Sequence, residues 1–380
     1  MIQYCSNCPN PSTRPNISFN KKGLCTVCVY ELRKKKKQIN WNNRWMQIQK
    51  IKKWGKKNSN SSHDCIVTVS GGKDSFRQAF YVRDKLKMNP LLVALTYPPE
   101  QYSERGPKNL STLIEHGFDC ISLSLDPVVW KKLMKKGFLK FGNYAKSTEM
   151  ALYAAPIHIA IAYKIPLIFY GENPANTQGE RHGKRLDGNA SGIRYGNTIK
   201  GGPRTIGLKN ISNKDLHFYE YPKIKDVELT GLKIVYLGYF IKDWYGSKNA
   251  NFAKKKGLKI RDDKPDKIGD IWGVTGLDED FRIVNQYIKF LKYGFGFVTS
   301  QVIEMMHKDK LNIKKGIDLI NKYDGKCDIK YKLKLCKYLG ISLKKFNRTI
   351  DNFVNKKIFK YQKNKYVKKI ILKPEMFQNI

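Results

Sequence analysis

Long hydrophobic runs are missing from this 380-residue chain. No stretch approaches the roughly 18 to 20 uninterrupted apolar residues that a membrane-crossing helix needs. Met1-Ile2-Gln3-Tyr4-Cys5 has neither the charged nor the apolar region of a secretory signal, so the expected location is the cytoplasm, with no membrane partner. Acidic residues are scarce, 32 Asp and Glu against 72 Lys and Arg, and the net charge of +40 turns the chain toward anionic ligands. Arginine is scarce as well. It supplies 13 of the basic residues, and the lysines that make up the rest are spread over all segments. Nucleic-acid grooves draw on arginine for bidentate contacts, so a nucleic-acid partner is not expected. ATP, pyrophosphate and an acidic or nucleotide-linked sugar would satisfy the charge. The six histidines show no ligand spacing. His158, between Ile157 and Ile159, reads as structural, whereas His182 stands among Arg181, Lys184 and Arg185 in a glycine-rich stretch where it could touch an anionic substrate.

Hydrophobic content of 41% and the chain's length suffice for two or three ordinary cores. Residues 1–30 hold Cys5-x-x-Cys8 and Cys25-x-x-Cys28, two pairs separated by sixteen residues. Each pair can sit on a short turn that aims two thiolates at one point, and two such turns close a tetrahedral site. The unit reads as a zinc ribbon, with an iron–sulfur cluster as the alternative metal group; a reducing cytoplasm disfavours disulfides. Residues 31–62 read as a basic amphipathic helix and linker, with Ile39, Trp45, Ile48, Ile51 and Trp54 near helical spacing.

Residues 63–260 read as an α/β, doubly wound, mostly parallel nucleotide-binding domain. Strands are expected near 65–69, 91–97, 119–125 and 165–171, with helices between them and a strand-like run over 234–241. A glycine-rich polar insertion covers about 174–232. In such folds ligands lie at the carboxyl ends of the strands, which nominates Thr96 and Tyr97, Asp126, and Gly171-Glu172-Asn173. Residues 261–380 are expected to be mostly helical, from the spacing of Phe281, Val284, Tyr287, Ile288 and Leu291.

Ser70-Gly71-Gly72-Lys73-Asp74-Ser75 directly follows the first apolar strand, Cys65–Val69, and precedes a helix. Strand, glycine-rich turn and helix N-terminus together make a phosphate cradle: bare backbone amides and the helix dipole meet an anion, and Lys73 adds a full charge. The glycines are adjacent and Asp74 follows Lys73, so this is not G-x-x-x-x-G-K-[ST], and kinase or GTPase chemistry is not the reading. The hexamer resembles the S-G-G-x-D-S signature of the PP-loop ATP pyrophosphatases, which implies cleavage between the α- and β-phosphates of ATP.

The chain as a whole resembles the N-acetyl sugar amidotransferase family of bacterial surface-glycan biosynthesis. The similarity runs through Tyr4-Cys5-x-x-Cys8 with Pro11, Thr13, Arg14 and Pro15, then Gly23 and Cys25-x-x-Cys28, and Asn40-Trp41 with Arg44. It continues through the Ser70–Ser75 loop, Tyr170-Gly171-Glu172-Asn173, Leu237-Gly238-Tyr239-Phe240 with Lys248-Asn249-Ala250, and Tyr287-x-x-Phe290-Leu291-Lys292-Tyr293-Gly294-Phe295-Gly296. Where the family continues with Arg-Ala-Thr-Asp, this chain has Phe297-Val298-Thr299-Ser300, which bears on its sugar or partner contacts.

The resemblance implies ATP-dependent conversion of a sugar acetamido group to an acetamidino group. The acceptor would be a nonulosonic acid of pseudaminic or legionaminic type, as on flagellin, or a nucleotide-linked diacetamido sugar of lipopolysaccharide. Lys73 and the loop amides would stabilise the departing pyrophosphate, Asp74 or Glu172 could hold Mg²⁺, and Ser70 and Ser75 would offer hydroxyls. The chain begins Met1-Ile2 rather than with a cysteine after Met1, and it has no G-x-C-x-G elbow. The expectation is a separate glutaminase subunit that supplies ammonia. A PP-loop tRNA-thiolating enzyme is the alternative; it would call for further catalytic cysteines, whereas Cys65, Cys120, Cys327 and Cys336 read as small core residues.

Overall fold

The structure, a computed structural model, describes residues 2–179, 187–196, 199–208 and 210–377. The N-terminal cysteine turns lead into helix α1 (Thr26–Lys35), and α2 (Trp41–Asn58) follows. The one helix expected across this basic segment is therefore two. Lys37 takes a left-handed φ of 54°, and Asn40 starts the new helix by accepting from the Asn43 amide at 2.8 Å.

Strand and helix then alternate as the sequence predicts: β1 (Cys65–Val69), α3 (Lys73–Phe80) with a π-helical turn to Lys85, β2 (Pro90–Thr96), α4 (Arg105–Glu115), β3 (Cys120–Ser124), α5 (Pro127–Phe141), α6 (Ala145–Ala162) and β4 (Leu167–Tyr170). The glycine-rich insertion carries α7 (Pro174–Gln178) and α8 (Ile224–Leu229) and forms the crossover to β5 (Lys233–Tyr236). All five strands are parallel, in the order β3-β2-β1-β4-β5. Helices cover both faces. Leu92 and Ala94 of β2 pack with Ile48 of α2 and Phe76 and Phe80 of α3, while Leu91 and Val93 pack with Ile157 and Ala160 of α6. The winding reverses between β1 and β4, so a crevice opens where their carboxyl ends lie side by side.

The run expected to be strand through Ile241 stops at Tyr236 and tightens into a 3₁₀ turn over Leu237–Phe240. Gly238 makes this turn possible, since a Cβ there would stand 2.7 Å from the Trp244 ring and 2.9 Å from the Glu172 carbonyl oxygen. Helices α9 (Gly246–Lys255) and α10 (Pro265–Ile268) lead to α11 (Phe281–Tyr293), α12 (Phe297–Lys308), α13 (Ile313–Tyr323), α14 (Ile329–Leu339) and α15 (Leu343–Asp351). The helical expectation for the C-terminal third holds up to α15, after which β6 (Phe359–Gln362) and β7 (Lys365–Lys368) form an antiparallel hairpin. Its turn is built by Lys363 and Asn364, both at positive φ.

The C-terminal helices share one core with the sheet domain. Trp130, Phe138 and Tyr144 pack into the same cluster as Phe281, Val284, Phe346 and Phe359, and Phe138 stacks on Phe346 at 5.2 Å. At roughly 25 cal/mol per Å², large side chains buried on both sides of such a seam hold the two parts together firmly. No helix among the described residues is long and apolar enough to cross a membrane.

Candidate active site

The Ser70–Ser75 loop sits in the crevice between β1 and β4. Gly71 turns at φ 75°, where a Cβ would lie 3.1 Å from the Gly106 carbonyl oxygen, so only glycine passes without strain. Gly72 precedes α3 with no side-chain cap, leaving the helix's first amides free for an anion. The Ser75 hydroxyl accepts from the Ser70 amide at 2.9 Å, which braces the loop and leaves its O–H to donate. Lys73 Nζ donates to Asp74 Oδ2 at 2.7 Å, and Asp74 Oδ1 accepts from Asn249 of α9 at 2.8 Å. Burial alone would lower the Lys73 pKa. Asp74, Glu304 and Asp270 outweigh it and raise the pKa, so the ammonium stays charged.

This loop forms one end of a cavity of about 690 Å³. Gly171, Glu172 and Asn173 border it from β4, as the topology predicts. Burial, with Asp74's charge assisting, holds the Glu172 carboxyl above its ordinary pKa, and Tyr153 donates to it at 3.3 Å. Asn173 caps α7, accepting from Ala175 N at 3.2 Å and donating to the Gly238 carbonyl at 3.0 Å. Thr96 does not reach the cavity: its hydroxyl bonds to the Leu123 carbonyl at 3.1 Å and to Ser124, and by strand alternation its neighbours Leu95 and Tyr97 line the space instead. Asp126 caps α5, accepting from Val128 N at 2.7 Å. His182 lies outside the described residues.

The donor set fits a nucleotide with its divalent cation. Buried Gln78 Oε1 and Asn249 Oδ1 border the cavity with no protein hydrogen-bond partner, and Asp74 and Glu172 offer the hard oxygen ligands that Mg²⁺ prefers. Cysteine has no part in this wall: among the described residues, none lines the cavity.

Cys5, Cys8, Cys25 and Cys28 bring their sulfurs within 4.8 Å of one another. A tetrahedral zinc with bonds of about 2.3 Å requires S···S edges of about 3.8 Å; the sulfurs stand 3.7 Å (Cys5–Cys28), 3.8 Å (Cys8–Cys25) and 3.4 Å (Cys8–Cys28) apart. No two are bonded, and the four could hold a structural zinc ion. Asn7, Asn10 and the Cys25 amide donate to the sulfurs, as second-layer groups of a thiolate site do.

Sequence reading treated this unit as a module apart. The structure makes it a wall of the cavity, with Asn10, Arg14, Val27 and Glu31 on the lining. Asn10 donates to Cys25 Sγ at 3.5 Å and accepts from Arg14 Nε at 2.5 Å. Arg14 lies over Phe295 at 3.9 Å and reaches Ser300 of α12 at 3.1 Å. Helix α12 closes the arrangement. Ile303 packs in the cysteine cluster, His307 Nε2 lies 3.4 Å from Cys28 Sγ, and Glu304 accepts from Gly246 N and Ser247 N at 2.8 Å each. Phe297 and Ser300, at the departure from the family pattern, also border the cavity.

The far end is built by Tyr97, Thr148, Glu149, Asp278, Glu279 and Arg282. Tyr97 donates to Asp278 at 2.9 Å, and Tyr144 and Gln101 donate to Glu279 at 3.2 and 2.5 Å. Burial first, then Asp278's charge, pushes the Glu279 carboxyl up to about 7. Apart from Tyr97, sequence reasoning missed this end. Asp278 and Glu279 belong to a short acidic run, Asp278-Glu279-Asp280, just before α11, and Arg282 is that helix's second residue; nothing in their spacing shows that they face the cavity.

Fold and site together define a doubly wound α/β protein with a glycine-rich loop at a helix N-terminus, a four-cysteine unit and a helical C-terminal region. Residues 275–373 match the family model described as LPS biosynthesis protein WbpG-like, C-terminal domain. No curated protein matches the chain. The matched segment spans α11 to the hairpin and includes the cavity residues Asp278, Glu279, Arg282, Glu304 and His307.

Proposed function

We propose that this protein is an ATP-dependent amidotransferase of surface-glycan biosynthesis, one that converts the acetamido group of an N-acetylated sugar to an acetamidino group. The observation that carries the reading is the Ser70–Ser75 loop opening into a cavity whose opposite wall belongs to the segment resembling a lipopolysaccharide-biosynthesis family. The acetamido oxygen attacks the α-phosphorus of ATP and the bond to the β-phosphate's bridging oxygen breaks. Pyrophosphate leaves, stabilised by Lys73 and the free amides at the start of α3. Asp74 or Glu172 would hold Mg²⁺, which would supply charge neutralisation at the phosphates. Ammonia then attacks the imidate carbon, a proton is lost from nitrogen, and AMP departs with the former amide oxygen. The cavity holds the three reactants in one place, and placement alone can supply roughly 7 to 11 kcal/mol of the barrier. The ammonia comes from a separate glutaminase subunit.

The test is incubation with ATP, Mg²⁺, ammonium and a panel of N-acetylated nonulosonic acids and nucleotide-linked diacetamido sugars. Mass spectrometry should find oxygen replaced by NH in one acceptor, with AMP formed in equal amount. ADP as the product, or AMP without a modified sugar, overturns the reading. Equal use of glutamine and ammonium by the purified chain overturns the separate glutaminase.

A further inference from the structure

Two arginines near the start of α11 are used in opposite ways. Arg261 is fully enclosed and spends its donors inside the protein, on Asp280 at 2.9 Å and on the carbonyls of Gly276 and Glu279 at 2.5 and 2.7 Å. The Arg282 side chain makes no hydrogen bond among the described residues. Its one ion pair is a loose 3.6 Å approach to Glu149, and its side chain keeps 37% of its surface open, at the cavity wall. The other nearby acids already have partners: Glu279 is held by Tyr144 and Gln101, and Asp278 by Tyr97. Part of the guanidinium's set of N–H groups is therefore left for the cavity.

The placement is built into the backbone. Gly276, at φ 58°, passes directly beneath Arg282, where a Cβ would lie 2.4 Å from Arg282 Cγ. On the facing wall Thr148 is 2% exposed, and its hydroxyl has no protein partner. A buried hydroxyl of this kind is costly unless a ligand or water meets it. Helix α6 gives the scale. Glu149, beside Arg282, and Tyr153, which reaches Glu172 at the phosphate end, are four residues apart, about 6 Å along the axis. One sugar ring bridges that span.

We propose that Arg282 and Thr148 form the acceptor subsite, and that the Arg282 guanidinium grips an anionic group of the sugar, a carboxylate or a phosphate, so that the acetamido group is turned toward the Ser70–Ser75 loop. This rests on the function proposed above. A planar fork of donors suits either anion, and a lysine would not replace it.

The experiment uses the full chain and two matched pairs: an N-acetylated nonulosonic acid and its methyl ester, and a UDP-linked diacetamido sugar and the free sugar. Binding is measured by calorimetry without ATP, and turnover separately with ATP and ammonium. Wild type should favour the charged member of one pair, which also tells carboxylate from phosphate. Arg282→Met should lose that preference, with affinity for the charged acceptor falling roughly thirtyfold or more, while the neutral analogue and the KM for ATP hold steady. Arg282→Lys, which keeps the charge, should recover only part of the preference and guards against a folding defect in the methionine variant. A preference that survives in both variants overturns the inference even if turnover is intact. Arg282-dependent binding without any turnover overturns the amidotransferase reading and leaves the subsite standing. Absence of both binding and turnover overturns the two together.

Discussion

Asn249 donates to Asp74 at 2.8 Å, so the acid of the Ser70–Ser75 loop is held in place by helix α9 as well as by Lys73 of its own helix. Asn249 is wholly buried and its own carbonyl oxygen has no protein partner. Its amide thus has one half committed to Asp74 and the other half bordering the cavity. Asn249→Ala should raise the KM for ATP about tenfold, a loss of one hydrogen bond to a charged group. Asn249→Asp, which sets a second carboxylate against Asp74, should do more harm than alanine. Steady-state kinetics in ATP check both, and an aspartate variant as active as wild type would remove Asn249 from the site.

Lys73→Ala and Asp74→Ala should each reduce AMP formation by about a hundredfold or more, the usual loss when a preorganised charge is taken from a transition state. Circular dichroism and melting temperature should change little, since both side chains retain solvent contact and their pairing adds little stability. Retained activity in either variant would end that residue's role.

Metal removal should act on the cavity as well as on stability. Chelation, or Cys8→Ser, should release one zinc per chain and lower the melting temperature. It should also weaken sugar binding, because Asn10 links Cys25 to Arg14 on the cavity wall. Metal content by mass spectrometry, together with calorimetry, checks this. Iron in place of zinc would identify the other metal group that four cysteines can hold.

Glu279 gives stability a pH dependence. Its carboxyl is pushed from 4.5 to about 7, so the folded chain binds more protons than the unfolded one between these values. Stability therefore falls as pH rises through this window, by an amount on the order of 3 kcal/mol at most. Glu279→Gln keeps the shape, cannot ionise, and should flatten the slope, with its largest relative gain above pH 7. Melting curves from pH 4.5 to 8 decide it, and parallel slopes for the two proteins would refute the assignment.

Much of the fold could be read from local signals. The glycine pair, the alternation of apolar strand and helix, and the cysteine spacing each express a short-range requirement, and each lies where the sequence places it. Two kinds of information were hidden. One is parity: the end of β2 is clear in the sequence, but whether Thr96 or Tyr97 faces the ligand depends on the face each takes in the sheet. The other is long-range closure. Arg14, Asn249, Arg282 and Glu304 meet around one cavity from positions nearly 300 residues apart; Arg14 and Asn249 stand in segments the resemblance marks, Arg282 and Glu304 look like solvated charges, and nothing in the chain's order shows that the four converge. The hairpin after α15 was hidden for a local reason, because lysine rather than glycine occupies the first left-handed position of its turn.

The cysteine unit supplies part of the cavity lining. A chain trimmed to begin just before Asn40 would keep α2, every strand of the sheet and the entire Ser70–Ser75 loop, yet under the function proposed above its reaction chamber would leak. Water would reach the activated sugar as readily as ammonia does and return it to the starting amide. Such a fragment would burn ATP to AMP in a futile cycle.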